Sequence, residues 1–353
     1  MASSVAGILG SPAMAFSHPP SDLPPPLQLL DVASSFVVTR ALSVAAELGV
    51  PDLLAGGPRP VEELAAATGT HAPSLRRLLR LLAAAGALTE VEPGSFATTA
   101  LGDCLRSDQP VSLRSLFRMV GGPLAKVIDE LDYTVRTGET ADERVLGMGM
   151  FDYLAKHPEE GAIFDAAMTD FRRQFTGAVM AAYDFSGIRR LVDVGGGHGF
   201  FLTCVLLANP AMTGVLFDQP HVVEGGRAAL AEAGLGERCE VVGGDFFVSV
   251  PAGADAYLLS WIIHDWDEER GLAILRNCRE AIAPDGRLFL LECVLPEGDE
   301  PHFGKVLDIF LMPLGGIERT EAEYADLLAR AGFHLKRVVP TMAPISVLEA
   351  EPA

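Results

Sequence analysis

The chain has 353 residues, 49% hydrophobic and 21% charged, which is enough for two domains or one large one and excludes a disordered polymer. A formal net charge of −20 argues against nucleic acid or an anionic membrane as partner, since both need basic patches; a solvated acidic exterior accounts for it. The five cysteines (Cys104, Cys204, Cys239, Cys278, Cys293) form no C-x-x-C and no His/Cys cluster, so neither zinc nor a disulfide framework is expected, and a reduced, cytoplasmic setting fits.

Residues 1–26 read as a disordered leader that ends in a proline-rich stretch; no Lys or Arg precedes Arg40, which argues against a signal peptide. No uncharged run is long enough to span a bilayer. From Leu27 to about Leu54 the apolar residues Leu30, Ala33, Val37, Ala41, Val44 and Leu48 recur near helical spacing until Gly49 and Pro51. A short helix at 60–65, a second at 74–82 that Thr70 would cap, and a hairpin at 86–98 follow. Helix–turn–helix plus hairpin is a winged-helix outline. Arg76, Arg77 and Arg80 make DNA binding tempting. The acidic total and the enzyme-like half downstream favour packing or dimerisation for residues 27–111.

Residues 112–186 are expected to be helical, with Phe151, Phe164, Met168, Phe171 and Phe175 roughly on one face. Core packing explains any single one of them; roofing an aromatic substrate is the second reading. From 187 the texture becomes α/β. Strands are expected at 188–194, 213–218, 238–242, 255–261 and 287–294, with helices between them at about 199–208, 220–233 and 267–283. Helices near 304–312 and 320–331 lead to two late strands, 333–339 and 345–350, expected to form an antiparallel end to the sheet.

Sites in open α/β sheets form at the carboxyl ends of strands. The first strand runs into Asp193-Val194-Gly195-Gly196-Gly197-His198-Gly199. A dinucleotide G-x-G-x-x-G fails here, because the third glycine would fall on Phe200 or Leu202. The run fits D-x-G-x-G-x-G instead, which looks like motif I of class I S-adenosylmethionine (SAM) methyltransferases. The second strand ends at Asp218-Gln219-Pro220, where Asp218 either accepts from the hydroxyls of a ribose or caps the next helix. The third leads to Asp245 and Phe246, suited to an adenine amino group and ring face. The fourth runs through Ser260 and Trp261 to His264, Asp265 and Trp266. The fifth carries Glu292, and Glu318 lies beyond. A histidine is the natural base for a hydroxyl proton, and a carboxylate on its other nitrogen would fix the tautomer.

Six ordered runs, Leu191–Gly197, Phe217–Val222, Gly243–Phe247, Trp261–Trp266, Glu292–Pro296 and Gly315–Thr320, resemble the plant-type O-methyltransferase family and its bacterial natural-product relatives. Residues 46–54 are similar to part of that family's winged-helix-like dimerisation domain. The resemblance implies a Rossmann-like class I methyltransferase sheet with an N-terminal, mostly helical dimerisation domain. It assigns cofactor contacts to Asp193, Gly195, Gly196, Gly197, Asp218, Gln219, Asp245 and Phe246, with Ser260 standing where plant members carry Lys. His264 matches the catalytic base, Glu292 and Glu318 the acids flanking it, and Met168, Asp265 and Trp261 positions close to the substrate. The implied activity is methyl transfer from SAM to a hydroxyl of an aromatic small molecule in natural-product biosynthesis, by a homodimer with no metal. Two rivals stand beside it: a fold-mate that keeps SAM but does other chemistry, such as hydroxylation, and a winged-helix regulator that senses SAM.

Overall fold

The computed structural model describes residues 23–353, so most of the expected leader lies outside the described residues. The chain forms two compact units. One takes residues up to 129 together with 150–171; the other takes 130–149 and 172–353. The helical stretch 112–186 is therefore shared between them.

In the first unit, α1 (Pro25–Glu47) starts on a proline, whose missing N–H costs nothing at a helix N-terminus. It ends just before Gly49, whose φ of +66° is open to glycine at little cost. A short α2 (Val50–Leu53) follows. Then come β1 (Arg59–Pro60), α3 (Val61–Thr68), α4 (Ala72–Ala84), β2 (Leu88–Glu92) and β3 (Ser95–Thr98). The strands form an antiparallel sheet with β3 in the middle. Helix pair and hairpin thus realise the winged-helix outline, with Leu54, Leu64, Leu79, Leu82 and Phe96 fully buried between them. Thr70 does not cap α4: His71 holds the N-cap position without a side-chain bond, and the Thr70 hydroxyl pairs with that of Thr68 at 2.8 Å. Arg76, Arg77 and Arg80 are exposed.

The helices α5 (Ala100–Asp103), α6 (Arg114–Gly121) and α7 (Pro123–Ile128) complete the run to residue 129. A Cβ on Gly121 would stand 2.7 Å from that of Ser43, so glycine lets α6 lie close against α1. The N-terminal part of α1 remains bare: Leu29, Leu30, Phe36 and Val37 are all more than half exposed. Its length and mean hydropathy of 1.5 would also suit a membrane span.

Residues 130–149 carry α8 (Leu131–Thr137) and α9 (Asp142–Leu146). Then α10 (Met150–Lys156) and the long α11 (Pro158–Ala182) follow, the last running from one unit into the other. The second unit is built on seven strands: β4 (Arg190–Val194), β5 (Thr213–Asp218), β6 (Cys239–Gly243), β7 (Ala256–Ser260), β8 (Arg287–Glu292), β11 (Phe333–Pro340) and β12 (Ser346–Pro352). A separate parallel pair, β9 (Val294–Leu295) and β10 (Arg319–Thr320), lies between β8 and β11 in sequence. The order is β11-β12-β8-β7-β4-β5-β6, with β12 antiparallel to β8 and the five strands from β8 to β6 parallel. Parallel strands covered on both faces must be apolar throughout, and β7 is buried at all five positions. The helices α12 (Phe200–Ala208), α13 (Pro220–Glu232), α14 (Glu268–Ala281), α15 (Phe303–Leu311) and α16 (Glu321–Arg330) connect them. The order reverses at β4 and β7, which opens a crevice beyond their carboxyl ends.

A buried acid joins the antiparallel edge to the chain entering the sheet. Glu349 accepts from the Tyr183 hydroxyl at 2.8 Å and from Arg337 Nε at 2.7 Å. Burial pushes its carboxyl up, but these hydrogen bonds win and hold it below the ordinary range. That contribution to stability is present above the unfolded carboxyl value of about 4.3 and is lost as pH falls through the lower folded value. Tyr183→Phe is expected to lower the unfolding free energy by roughly 1.5–3 kcal/mol at neutral pH. Urea denaturation measures it, and the difference should shrink in buffers below about pH 4 as Glu349 takes up its proton.

Candidate active site

The glycine loop leaves β4 with Gly195 at φ +70° and Gly197 at φ +59°, conformations that side chains rarely tolerate. Space is equally restrictive. A Cβ on Gly195 would come within 2.4 Å of the Ile262 side chain, on Gly196 within 2.8 Å of the Asp193 carboxyl, and on Gly197 within 2.9 Å of Arg172 Nη1. Asp218 does not cap α13, whose N-cap is Gln219. Its Oδ2 accepts from Gly197 N at 2.8 Å and its Oδ1 from Gln219 N at 2.7 Å, so the carboxylate latches the second strand end to the loop of the first. Each oxygen keeps a lone pair for a further donor. The Gln219 side chain points to solvent. Asp245 Oδ1 accepts from Phe247 N at 2.8 Å and tightens the turn that presents Phe246, whose ring edge lies 3.7 Å from the Cβ position of Gly195.

Both oxygens of Asp193 are buried with no hydrogen-bond partner among the described residues. Burial drives its pKa up to about 7, against the pull of Arg172. Arg172 is the residue that sequence reasoning missed. Its Nη2 donates to the carbonyls of Gly195 and Ser260, at 3.2 and 3.1 Å, which fixes a guanidinium across the mouth of the glycine loop. A cation on one side, the Asp218 carboxylate on the other, an aromatic ring and a floor without side chains fit an adenosyl amino acid.

Beyond β7, Trp261 adopts φ +56°, the one non-glycine residue with positive φ among those described. Its N–H donates to the Leu291 carbonyl, and its ring centre lies 5.2 Å from that of His264 and 6.0 Å from that of Phe175. A 3₁₀ turn, Ile263–Asp265, presents the histidine. The two expected acids have different jobs. Glu318 Oε1 stands 2.7 Å from His264 Nδ1 and accepts a hydrogen bond from it. Glu292 Oε1 accepts instead from the backbone N–H groups of Ile262 and Ile263, at 3.2 and 2.9 Å, while its Oε2 lies 3.9 Å from Nδ1. Asp265 Oδ1 is 3.5 Å from Nε2. Gly316 passes so close that a Cβ would sit 2.5 Å from the His264 carbonyl, and Ile317 N donates to that oxygen at 2.7 Å. Arg319, buried, closes the loop onto the turn by donating to the carbonyls of Ile263, Ile317 and Trp266.

Burial alone would lower the pKa of His264, but Asp265, Glu318 and Glu292 outweigh it and raise it to about 10. The same crowding, led by burial, pushes Glu292 up to about 7 and Asp265 above its ordinary value. One atom each of His264, Glu292 and Glu318 lies within 4.8 Å of the others, a spacing that a metal ion could also use. Met168 is half-buried on α11, in the part that belongs to the other unit, as are Phe151 and Phe164, whose rings meet edge to face at 6.0 Å.

Comparison with known proteins bears on this geometry. An O-methyltransferase domain model matches residues 129–334, and an O-methyltransferase dimerisation domain model matches 30–108. A phenazine O-methyltransferase of Lysobacter antibioticus is 48% identical over 325 residues, 92% of this chain and 95% of the relative. An 8-amino-8-demethylriboflavin N,N-dimethyltransferase of Streptomyces davaonensis is 41% identical, over 88% of this chain and 91% of its own. Among solved structures, an O-methyltransferase from neocarzinostatin biosynthesis, in complex with SAM and 2-hydroxy-5-methyl naphthoic acid, superposes with a TM-score of 0.80 at 34% identity, covering 89% of this chain and 96% of that one.

The division of labour between the two acids has a measurable consequence. Glu292→Ala leaves two buried N–H groups without an acceptor and should cost roughly 1–3 kcal/mol of stability in urea unfolding. Glu292→Gln keeps a carbonyl oxygen at the same place and is expected to cost less than about 1 kcal/mol.

Proposed function

The chain belongs to the O-methyltransferase family, and from that premise we propose that it transfers the methyl group of SAM to a hydroxyl of an aromatic natural product, with His264 as general base. S-adenosylmethionine is the cofactor; when bound, it supplies an electrophilic methyl group on a sulfonium. The observation that carries the reading is the buried His264–Glu318 pair at 2.7 Å, one loop away from the glycine cradle. Glu318 holds Nδ1, which leaves Nε2 as the atom that takes the acceptor's proton. With Nδ1 engaged at hydrogen-bond distance and Glu292 Oε1 engaged by two N–H groups, the cluster is an acid–base device and not a metal centre.

Arg172 is suited to the carboxylate of the cofactor, Asp218 to its ribose, and Phe246 with Asp245 to its adenine; Asp193, Gly195, Gly196, Gly197 and Ser260 shape the floor. At neutral pH the surrounding carboxylates keep His264 protonated in the resting site, and Asp265 Oδ1 is the neighbour that can receive the Nε2 proton. The imidazolium that re-forms as the acceptor loses its proton is stabilised by Glu318 and Glu292. Holding both reactants in one desolvated place contributes further, on the order of 7–11 kcal/mol for well-oriented groups. Trp261 and Asp265 are the residues proposed to meet the acceptor. A cytoplasmic biosynthetic enzyme is the setting this chemistry suits. The 41% identical N,N-dimethyltransferase keeps an amine acceptor as the second reading, and a matched phenol and aniline on one ring system separates the two.

His264→Ala is expected to lower kcat by about 10²–10⁴-fold with SAM affinity unchanged, because the base acts only as the proton leaves. For the unmodified enzyme, kcat/KM on a hydroxyl acceptor should climb as pH rises above 7 towards about 10, as the raised pKa of His264 requires. The mutant should lose that limb and recover partly at high pH on a phenol, which ionises itself near pH 10. Steady-state methyl transfer across pH with calorimetric SAM titration measures both. Near-normal turnover in His264→Ala would overturn the base assignment.

The exposed apolar face of α1, within a dimerisation domain match, supports a homodimer. Val37→Asp with Val44→Asp should shift the protein from dimer to monomer in light scattering, since both residues are exposed and apolar. A dimer of unchanged affinity would remove α1 from the interface.

A further inference from the structure

The acid–base cluster does not end at its carboxylates. Glu292 and Glu318 each commit Oε1, and the Oε2 of each is buried with no hydrogen-bond partner among the described residues. Bare buried carboxylate oxygens are costly, and native interiors supply them with donors. One more buried polar atom without a partner is the hydroxyl of Tyr324, which feels the charges of both glutamates. Tyr324 is fully buried in the first turn of α16, and the Thr320–Glu323 capping box fixes where that helix starts, three residues beyond Glu318. Burial first, then the charges of Glu292 and Glu318, push the ionisation of this hydroxyl well above the ordinary tyrosine range, so it remains a donor.

The other titratable groups facing that hydroxyl are committed elsewhere. Arg319 donates to three carbonyls and the Cys293 thiol to the Pro344 carbonyl. His264 gives Nδ1 to Glu318, and Asp265 lies on the Nε2 side of the ring. Two acceptors and one donor are left, too far apart for direct bonds. A water has two protons and a lone pair to match them, and three polar partners are the usual number for a buried water.

We propose that Tyr324 is a positioning residue for proton transfer: through one bridging water its hydroxyl serves the Oε2 atoms of Glu292 and Glu318 and keeps the Glu292 carboxylate anionic beside His264. This rests on His264 being the base. Without the hydroxyl, Glu292 takes up a proton more readily, and a neutral acid replaces an anion next to the imidazolium. The imidazolium is then less stabilised.

Tyr324→Phe removes one oxygen and keeps the ring in the core. Its kcat should fall about tenfold, the scale of a lost hydrogen bond to a charged group. KM and SAM affinity should stay unchanged, and the rising limb of the pH–rate profile should move to lower pH. In a Glu292→Gln background, where no anion is left at 292 to protect, the same change should cost less than about threefold, as coupled residues require. A Tyr324→Phe enzyme that loses only thermal stability, or one whose kcat loss is the same in both backgrounds, overturns the proposal. A high-resolution crystal structure of the unmodified enzyme gives a second readout: solvent density within reach of the Tyr324 hydroxyl and both Oε2 atoms is expected, and a dry site is fatal to it. The two readings fail separately. Turnover in His264→Ala sinks the base, whereas an inert Tyr324→Phe beside an inactive His264→Ala sinks only the water bridge.

Discussion

A buried imidazole in contact with a buried carboxylate is the constraint around which the catalytic unit is arranged. Taking both groups out of water is expensive, and their attraction repays it only if geometry and secondary hydrogen bonds are in place. The chain meets that condition with two loops that share no strand. The turn after β7 carries His264, and the loop entering β10 carries Glu318. They are fastened by Ile317 N on the His264 carbonyl, by Arg319 on three carbonyls, and by Asp308, whose Oδ1 accepts from Glu318 N at 2.9 Å. Gly316 is what allows the two backbones to come so close.

Much of this was legible in the sequence because it rests on local chemistry. The glycine loop could be read from spacing alone, since positive φ and close approach both demand residues without a side chain. The strand end at Asp218 fell where an apolar run met polar residues, whereas the fifth strand stops at Glu292, two residues short of the expected end, and the late antiparallel pair followed from two β-rich runs with no helix between them. The winged-helix outline likewise came from helical spacing and turn signals. Of the two readings of Asp218, ribose acceptor or helix cap, the cap is not taken: its carboxylate binds the glycine loop, a contact that neither reading named.

What stayed hidden depends on long-range placement. Arg172 sits in a helical run of phenylalanines, where an arginine looks like a solvated residue; only the fold brings it to the carbonyls of Gly195 and Ser260, 23 and 88 residues away. Glu292 and Glu318 looked equivalent from their positions, yet one holds the ring and the other holds the backbone under it. Sequence spacing could not show that α11 passes from one unit into the other, because the helix runs unbroken from Pro158 to Ala182. Thr70 had the chemistry of a cap but a neighbour, Thr68, that took its hydroxyl.

Trp261 carries an implication for engineering. A bulky residue in left-handed backbone stores on the order of 1–3 kcal/mol of strain, and here it joins the central sheet to the turn that presents the histidine. Glycine at this position would release the strain but leave a cavity where the buried indole packs, a loss of about 3–5 kcal/mol that outweighs the gain. The same exchange would delete the indole that lies against the imidazole and Phe175. Packing therefore holds the strained backbone in place, and a library meant to raise stability or to keep turnover should leave Trp261 fixed.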